Sequence, residues 1–447
     1  MRSGHACQQI VLDKLSNRQK YRVNLLLFFL VLVPFINIFG HMDRVSPFFE
    51  SFSLSKVFNY GAILGFGVAL PLLRRQYKFS AKLLLTVAIL LVMLGINYLL
   101  TPLASTKWLL NWLGFIFVSL MVAQIVKSYT DSEIQFLQAK SLILIKLFLI
   151  ALTALVAFSW LTNISDLVMF VSLGMHNHII AILSNTIGIE KQALGIFLVF
   201  LVILTFTCWS VLSQSTRFIL IITFLVIGPA MIGIRTMWLS LFLCAAWVYF
   251  TKFRSRRVFA YASILSAISI FNFYSVELMR LIAEVYDRLP SLQFAWSAMT
   301  SNLFGLGNGG YHIFVEKNNA AIVAQFGSER MEVSGLFWIA PESDLVYFIA
   351  SWGILSAVFY FFFGYMLLRG SRIFHRKIEL LPIERVMLLM SGTMVFMGIS
   401  QDNAGGLIWW VYMAAGYGVI LRHRGPGQKG NKTTQSFQHR TSQRVLV

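Results

Sequence analysis

The chain has 447 residues, of which 57% are hydrophobic and only 12% are charged. A soluble globular protein carries about 25% charged residues, so the composition excludes a soluble enzyme and a disordered protein. Its three cysteines are too few for a secreted scaffold held together by disulfides. We therefore predict an all-α, polytopic membrane protein.

Twelve apolar runs are candidate membrane-spanning helices, since a spanning helix needs about 20 mostly apolar residues. Residues 23–274 would hold nine of these helices, and residues 345–421 would hold the last three. Asn97 and Pro229 interrupt the third and the seventh runs. The twelve runs begin near Val23, Val57, Leu83, Trp108, Leu142, Ala193, Phe218, Thr236, Val258, Leu345, Leu381 and Leu407.

The basic residues predict that both termini are cytoplasmic. Most of the 37 Lys and Arg residues lie in alternate connecting segments, whereas most of the 18 Asp and Glu residues lie in the others. Basic loops mark the cytoplasmic side of a membrane protein. The net charge of +19 is then explained by topology and contact with anionic membrane lipids, and no nucleic-acid partner is expected. Residues 1–22 form a basic cytoplasmic N-terminus, and residues 422–447 form a disordered basic tail.

Residues 275–344 form the largest predicted extracytoplasmic loop, between the ninth and tenth spans. Loops longer than about 15 residues are uncommon unless they are functional or disordered. Residues 279–285 and 292–299 have the spacing of amphipathic helices that lie at a membrane surface. The sequence thus predicts a functional structure on the periplasmic face.

Three arginines near this face are candidate anion ligands. Arg235 lies at the predicted outer rim between the seventh and eighth runs. It is either an interface anchor or a clamp for phosphate oxygens, which match the fork of a guanidinium group. Arg280 and Arg288 are eight residues apart, so on a helix they would lie within about 80° of each other.

A glycine-rich segment follows in the same loop. Gly305, Gly307, Gly309 and Gly310 fall within six residues, which permits either a close backbone approach to a ligand or a tight turn. The spacing matches neither a Walker A loop nor a dinucleotide-binding fingerprint. Gly305 and Gly307 are therefore candidate substrate-binding residues only by position.

The candidate bases are a carboxylate and a histidine. Glu342 precedes the tenth span and is the first candidate for deprotonating a hydroxyl group, and His312, beside the glycine segment, is the second. Asp344 either caps the following helix or contacts substrate. Asp402, in the last outer loop, either reaches a bound glycan or lies in a solvated turn. No group has metal-ligand spacing, so neither a metal nor a cofactor is expected.

The order of these features resembles the O-antigen ligase and Wzy-type polymerase superfamily of bacterial envelope glycan assembly. The resemblance covers roughly residues 230–370. It rests on Arg235-Thr236 at the outer start of a span, on Arg288…Trp296-Ser297-Ala298…Asn302-Leu303-Phe304-Gly305-Leu306-Gly307, and on Glu342-Ser343-Asp344-Leu345-Val346-Tyr347…Trp352-Gly353-Ile354-Leu355. The resemblance implies that Arg235 and Arg288 hold a polyprenyl diphosphate. Glu342 stands where the ligases have a histidine, which favours a polymerase.

The resemblance implies a metal-independent glycosyltransferase of the bacterial inner membrane, with its active site facing the periplasm. It would join undecaprenyl-diphosphate-linked repeat units of an O-antigen or exopolysaccharide. Its implied partners are these lipid-linked glycans and the chain-length regulator and flippase proteins of the same pathway. One alternative is an O-antigen ligase, which transfers the glycan to the lipid A core. The second is a flippase or other transporter, although the first half of the chain has no counterpart of the long outer loop.

Overall fold

The computed structural model describes residues 15–42, 80–101, 106–232, 234–251, 298–307, 344–375, 380–398 and 406–423, together with residues 45, 60, 61, 296 and 310. All regular secondary structure within these ranges is helical. This agrees with the predicted all-α class, because a backbone segment in hydrocarbon must satisfy its own hydrogen bonds.

In chain order, the helices of these ranges are α1 (Asn17–Asn37), α2 (Ala81–Leu100), α3 (Thr106–Ser128), α4 (Asp131–Thr162), α5 (Ile164–Ser172), α6 (His176–Ile187), α7 (Lys191–Cys208), α8 (Gln214–Ile232), α9 (Arg235–Thr251), α10 (Asp344–Trp352), α11 (Ser356–His375), α12 (Pro382–Met397) and α13 (Leu407–Arg422). Helix α1 contains a π-helical turn, Phe28–Leu32.

Within the described part of the chain, seven helical segments are long and apolar enough to cross a membrane, which supports a polytopic membrane protein. They are Asn17–Asn37, Ala81–Leu100, Thr106–Ser128, Asp131–Thr162, Lys191–Val211, Gln214–Met231 and Val346–Phe374. Ten of the twelve predicted runs overlap described helices. The run that begins near Val258 lies outside the described residues, and only residues 60 and 61 of the run near Val57 are described. The count of twelve and the orientation therefore stay predictions.

The structure differs from the sequence prediction in two details. Pro229 does not end its helix, because α8 continues from Gln214 to Ile232. The Trp160 indole donates a 2.7 Å hydrogen bond to the Val226 carbonyl oxygen, within the turn that Pro229 disturbs. In addition, the connection between the fifth and sixth predicted runs is not a simple loop, because it contains the two short helices α5 and α6.

Helix α13 is the centre of the bundle. Every residue from Leu407 to Leu421 is buried, as expected of a helix surrounded by other helices. Small residues permit this packing: Gly418 lies against Val126 of α3, and Gly416 lies against Ser391 of α12. By contrast, one face of α4 exposes Ile143, Leu147, Ile150, Phe158 and Leu161, which is the pattern of a lipid-facing helix.

The bundle has two distinct ends. The Tyr412 hydroxyl donates a 3.0 Å hydrogen bond to the Leu30 carbonyl oxygen, and its ring lies 6.0 Å from that of Phe200. These contacts align α13 with α1 and α7. We call the end that holds Asn37 and Lys191 the outer end, because it is predicted to face the periplasm, and the opposite end the inner end.

Ion pairs join the helices at the inner end. Arg22 of α1 donates from Nη1 to Glu133 Oε1 at 2.9 Å and from Nη2 to Ser128 Oγ at 2.6 Å. Glu133 Oε2 also accepts from the Thr130 backbone N–H at 2.8 Å, which caps α4. This buried pair fixes α1 to the start of α4.

A second charged group lies at the same end. Arg422 pairs with Asp131 and lies 3.5 Å from Glu384 Oε1. His423 Nε2 lies 3.1 Å from the same Glu384 oxygen. The end of α13 is thereby tied to the starts of α4 and α12.

Candidate functional site

The structure describes four of the nine candidate site residues predicted from the sequence. Gly305 and Gly307 are described in full, and Arg235 and Asp344 are described as the first residues of α9 and α10. The other five candidates lie outside the described residues, so their positions stay predictions; they are Arg280, Arg288, His312, Glu342 and Asp402.

The glycine segment packs directly against the break between α10 and α11. The Leu306 N–H donates to the Ala350 carbonyl oxygen at 2.8 Å, and the Gly307 N–H donates to that of Ser351 at 3.0 Å. In return, the Ile354 N–H donates to the Leu303 carbonyl oxygen at 2.9 Å. We call this contact between residues 302–307 and 350–354 the glycine clasp.

Glycine is required on both sides of the clasp. Gly305 has φ +80° and Gly353 has φ +52°, in the left-handed region that L side chains rarely adopt. A Cβ atom on Gly353 would overlap the Leu303 carbonyl oxygen, and one on Gly305 would lie 2.6 Å from the Gly353 nitrogen. Protein backbone therefore fills the space beside Gly305. This favours the tight-turn interpretation, while substrate binding by Gly305 and Gly307 stays a prediction.

Asn97 of α2 holds both halves of the clasp. Its side chain is 1% exposed, and its Nδ2 donates to the Ser351 carbonyl oxygen at 2.8 Å and to that of Phe304 at 3.3 Å. Sequence reasoning treated Asn97 only as an interruption of an apolar run. A polar side chain in such a run usually has a buried partner or a function, and this signal could have identified it.

The helix lengths place the clasp near one boundary of the apolar region. After the 3-10 turn Gly353–Leu355, α11 runs for 20 residues. At 1.5 Å per residue it rises about 30 Å, which matches the hydrocarbon thickness of a bilayer. In the predicted orientation, the clasp therefore lies in the outer part of the apolar span Val346–Phe374.

An aromatic cluster makes the surroundings of the clasp rigid. The Trp352 ring, next to Gly353, lies 4.8 Å from the Trp112 ring of α3, and Trp112 lies 5.1 Å from Trp410 of α13. Phe359 packs edge-on against both Trp112 and Trp352. These interlocking rings hold α10 against α3 and α13.

Arg235 is the first residue of α9, at the end of the bundle that we call outer. The residue before it, Ile234, is fully buried, and a Cβ atom on Gly195 of α7 would lie 2.9 Å from its Cγ2 atom. The starts of α7 and α9 are therefore in close contact. The backbone of Arg235 lies within about one turn of the level of Gly195.

Glu190 is a carboxylate at the outer end that sequence reasoning missed. Its backbone N–H donates to the Ile38 carbonyl oxygen at 2.7 Å, and its carboxylate packs against Gly40. Among the described residues, the carboxylate has no hydrogen bond or ion pair. Burial raises the pKa of Glu190. An acid just before an apolar run resembles an ordinary helix cap, so the sequence carries no specific signal for it.

The described residues contain no cluster of three His, Cys, Asp or Glu side chains able to hold a metal ion. Polar groups at the outer end include the backbone carbonyl groups of the clasp, the Asn97 amide and the Glu190 carboxylate. No protein-family model, characterised protein or solved structure matches this chain. Its function must therefore be argued from its own residues.

Proposed function

We propose that the chain is a membrane-embedded glycosyltransferase of the polysaccharide polymerase type. It would join undecaprenyl-diphosphate-linked repeat units at the periplasmic face of the bacterial inner membrane. The glycine clasp is the main support for this proposal. It joins residues 302–307 to residues 350–354, two stretches that carry the resemblance to the polymerase and ligase superfamily and that are distant in sequence.

The proposed chemistry assigns the leaving group to the arginines. Arg235 and Arg288 would bind the diphosphate and stabilise the negative charge that develops as the bond to the sugar breaks. The start of α9 at Arg235, at the outer end, supports this placement. A guanidinium group suits the task because its donors match pairs of phosphate oxygens.

The attacking hydroxyl group needs a base, and Glu342 is the proposed one. The hydroxyl oxygen would form the new glycosidic bond, Glu342 would take its proton, and the polyprenyl diphosphate would leave. Helix α10 begins at Asp344, and the clasp ties residues 302–307 of the loop to the C-terminal end of this helix. Arg280, His312, Asp344 and Asp402 are the proposed substrate contacts.

Deletion of the gene in its native host tests the proposal. We expect a surface glycan of core plus a single repeat unit on a gel, because polymerisation is lost and ligation is intact. Bare core with long chains left on the lipid carrier would instead identify a ligase. Bare core without any periplasmic chains would identify a transporter.

Complementation of that deletion tests the proposed residues. We expect Arg235→Ala, Arg288→Ala and Glu342→Gln each to reduce long-chain glycan at least tenfold while inserting at normal levels. Arg235→Lys should also fail, since an ammonium group lacks the planar fork. Arg372→Ala, an exposed position on α11 near the inner end, is the control and should complement. Full activity in all three site variants would contradict the proposed assignment of Arg235, Arg288 and Glu342.

A further inference from the structure

A groove of about 620 Å³ opens at the inner end, beside the turn that joins α7 to α8. It is remote from the glycine clasp and is not used in the proposed reaction. The turn contains a 3-10 segment, Trp209–Val211, and Ser213, which caps α8 by accepting from the Thr216 N–H at 3.3 Å. The residues that line the groove are Trp209, Gln214, Ser215, Arg217, Phe218 and Ile221.

Two cations lie at the polar edge of this groove. Arg217 donates from Nε to the Trp209 carbonyl oxygen at 3.1 Å, and its guanidinium carbon lies 5.1 Å from the centre of the Trp209 ring. Lys146 of α4 donates from Nζ to Ser215 Oγ at 3.1 Å. Neither cation forms an ion pair with a carboxylate of the described ranges. The two Nη groups of Arg217 have no hydrogen-bond acceptor among those residues.

The sequence on either side of these two cations contains no acidic residue. Residues 191–232 contain no Asp or Glu, and α4 has none between Glu133 and its last residue, Thr162. A zwitterionic headgroup would bring its own ammonium group towards Arg217 and Lys146, and these stretches offer no carboxylate to receive it. An anionic headgroup has no such cost.

The remaining lining of this open groove is mainly apolar and continues along α8. Phe218, Ile221 and Leu225 are all exposed and are spaced three and four residues apart, so they share one face of α8. Trp209, partly exposed at the end of α7, has the interfacial position that tryptophan commonly takes in membrane proteins. The groove therefore combines a cationic edge with a face suited to acyl chains.

We propose that this groove binds an anionic phospholipid of the cytoplasmic leaflet. The phosphodiester would accept hydrogen bonds from the Nη groups of Arg217, from Lys146 and from the Ser215 hydroxyl. The acyl chains would lie along Phe218, Ile221 and Leu225. The proposal does not depend on the glycosyltransferase function.

Native mass spectrometry of the purified full-length protein tests the site. The protein is titrated with phosphatidylglycerol and, separately, with phosphatidylcholine of the same chains. We expect tighter binding of phosphatidylglycerol to the native protein. The double variant Arg217→Gln/Lys146→Met should lose about thirtyfold in affinity for it, since each basic residue near an anionic lipid is worth about a fivefold change. Arg217→Lys should lose less, because it keeps the charge.

Lys140→Met/Arg369→Gln is the matched control. These cations also lie over aromatic rings, Phe136 and Tyr365, at 5.8 Å each, and the same net charge is removed. We expect the control to retain the preference for phosphatidylglycerol. An equal loss in both double variants would reduce the effect to general surface charge and overturn the site. Competition by millimolar glycerol phosphate would point to a soluble phosphate ligand and overturn the lipid assignment.

Discussion

Asn97 shows how one polar residue organises the outer end. Burying an amide in an apolar helix is unfavourable unless its hydrogen bonds are made. Asn97 donates to carbonyl groups of both Ser351 and Phe304, so a single side chain joins α2, the glycine segment and the break after α10. Its position suggests that it orients the outer loop rather than contacting substrate.

We expect Asn97→Leu to loosen the clasp, because leucine has a similar size but no donor. The loss should be about 2 kcal/mol, since each net hydrogen bond contributes roughly 0.5–1.5 kcal/mol. Thermal unfolding of the purified protein measures it. Thr86→Val is the control: it removes the 3.1 Å contact of the Thr86 hydroxyl with Tyr417 from the other end of α2. Equal destabilisation by both variants would contradict a special role for Asn97.

Charged residues at the inner end differ sharply in burial. The Glu133 side chain is fully buried against Arg22, whereas 80% of the Asp131 side chain is exposed. Glu133→Ala leaves the Arg22 charge buried without this partner, which should cost about 3–5 kcal/mol. Asp131→Ala should cost less than about 1 kcal/mol, because exposed ion pairs are weak. Thermal unfolding of both variants measures the two losses of stability. A larger loss for Asp131→Ala than for Glu133→Ala would contradict this ranking.

At the scale of elements, the break between α10 and α11 depends on Gly353. We expect Gly353→Ala to disrupt the clasp, because alanine is strained at φ +52° and its Cβ atom would overlap the Leu303 carbonyl oxygen. Backbone strain of this kind costs about 1–3 kcal/mol, before the cost of moving the loop. Thermal unfolding again provides the measurement.

Gly364→Ala is the matched control within α11. A Cβ atom on Gly364 would have no neighbour within 4 Å. Alanine favours a helix over glycine by about 1 kcal/mol, so this variant should be neutral or stabilising. If Gly353→Ala were equally harmless, the backbone contact with Leu303 would not be a determinant of the fold.

The candidate site illustrates what spacing can predict. The glycine-rich segment permitted either a close backbone approach to a ligand or a tight turn, and Gly305 and Gly307 adopt the positive φ angles that either would use. The start of α10 at Asp344 also follows from the boundary between a polar segment and an apolar run. The partner of the glycine turn was not predictable, because Gly353 and Asn97 approach it only through the packing of α2, α10 and α11.

At the scale of the whole molecule, orientation decides the surface on which each site lies. We expect Ser172→Cys, at the end of α5, to react from the periplasm with a membrane-impermeant maleimide. Gln214→Cys, at the start of α8, should react only after the inner membrane is disrupted. Both positions are exposed, and a Cys7→Ser background removes one native thiol. The reverse labelling pattern would show that the orientation of the bundle is the opposite of the predicted one, with the glycine clasp on the cytoplasmic side.

The sequence by itself determined the kind of molecule and most of its described helices. Long apolar runs with few charges must form helices in a bilayer, because hydrocarbon offers no other hydrogen-bond partners. Helix type and approximate helix ends are therefore local properties. Helix α8 also continues through Pro229, and one distant side chain, Trp160, donates to the Val226 carbonyl oxygen in that turn.

Only the tertiary structure decided which residues meet. Asn97 and Ser351 are distant in sequence, as are Arg22 and Glu133, and Lys146 and Ser215. Each pair forms because packed helices bring a donor and an acceptor to the same level, which no local pattern encodes. For the same reason the sequence left two interpretations of Gly305 open, and the backbone of Gly353, which fills the space beside it, favours the turn.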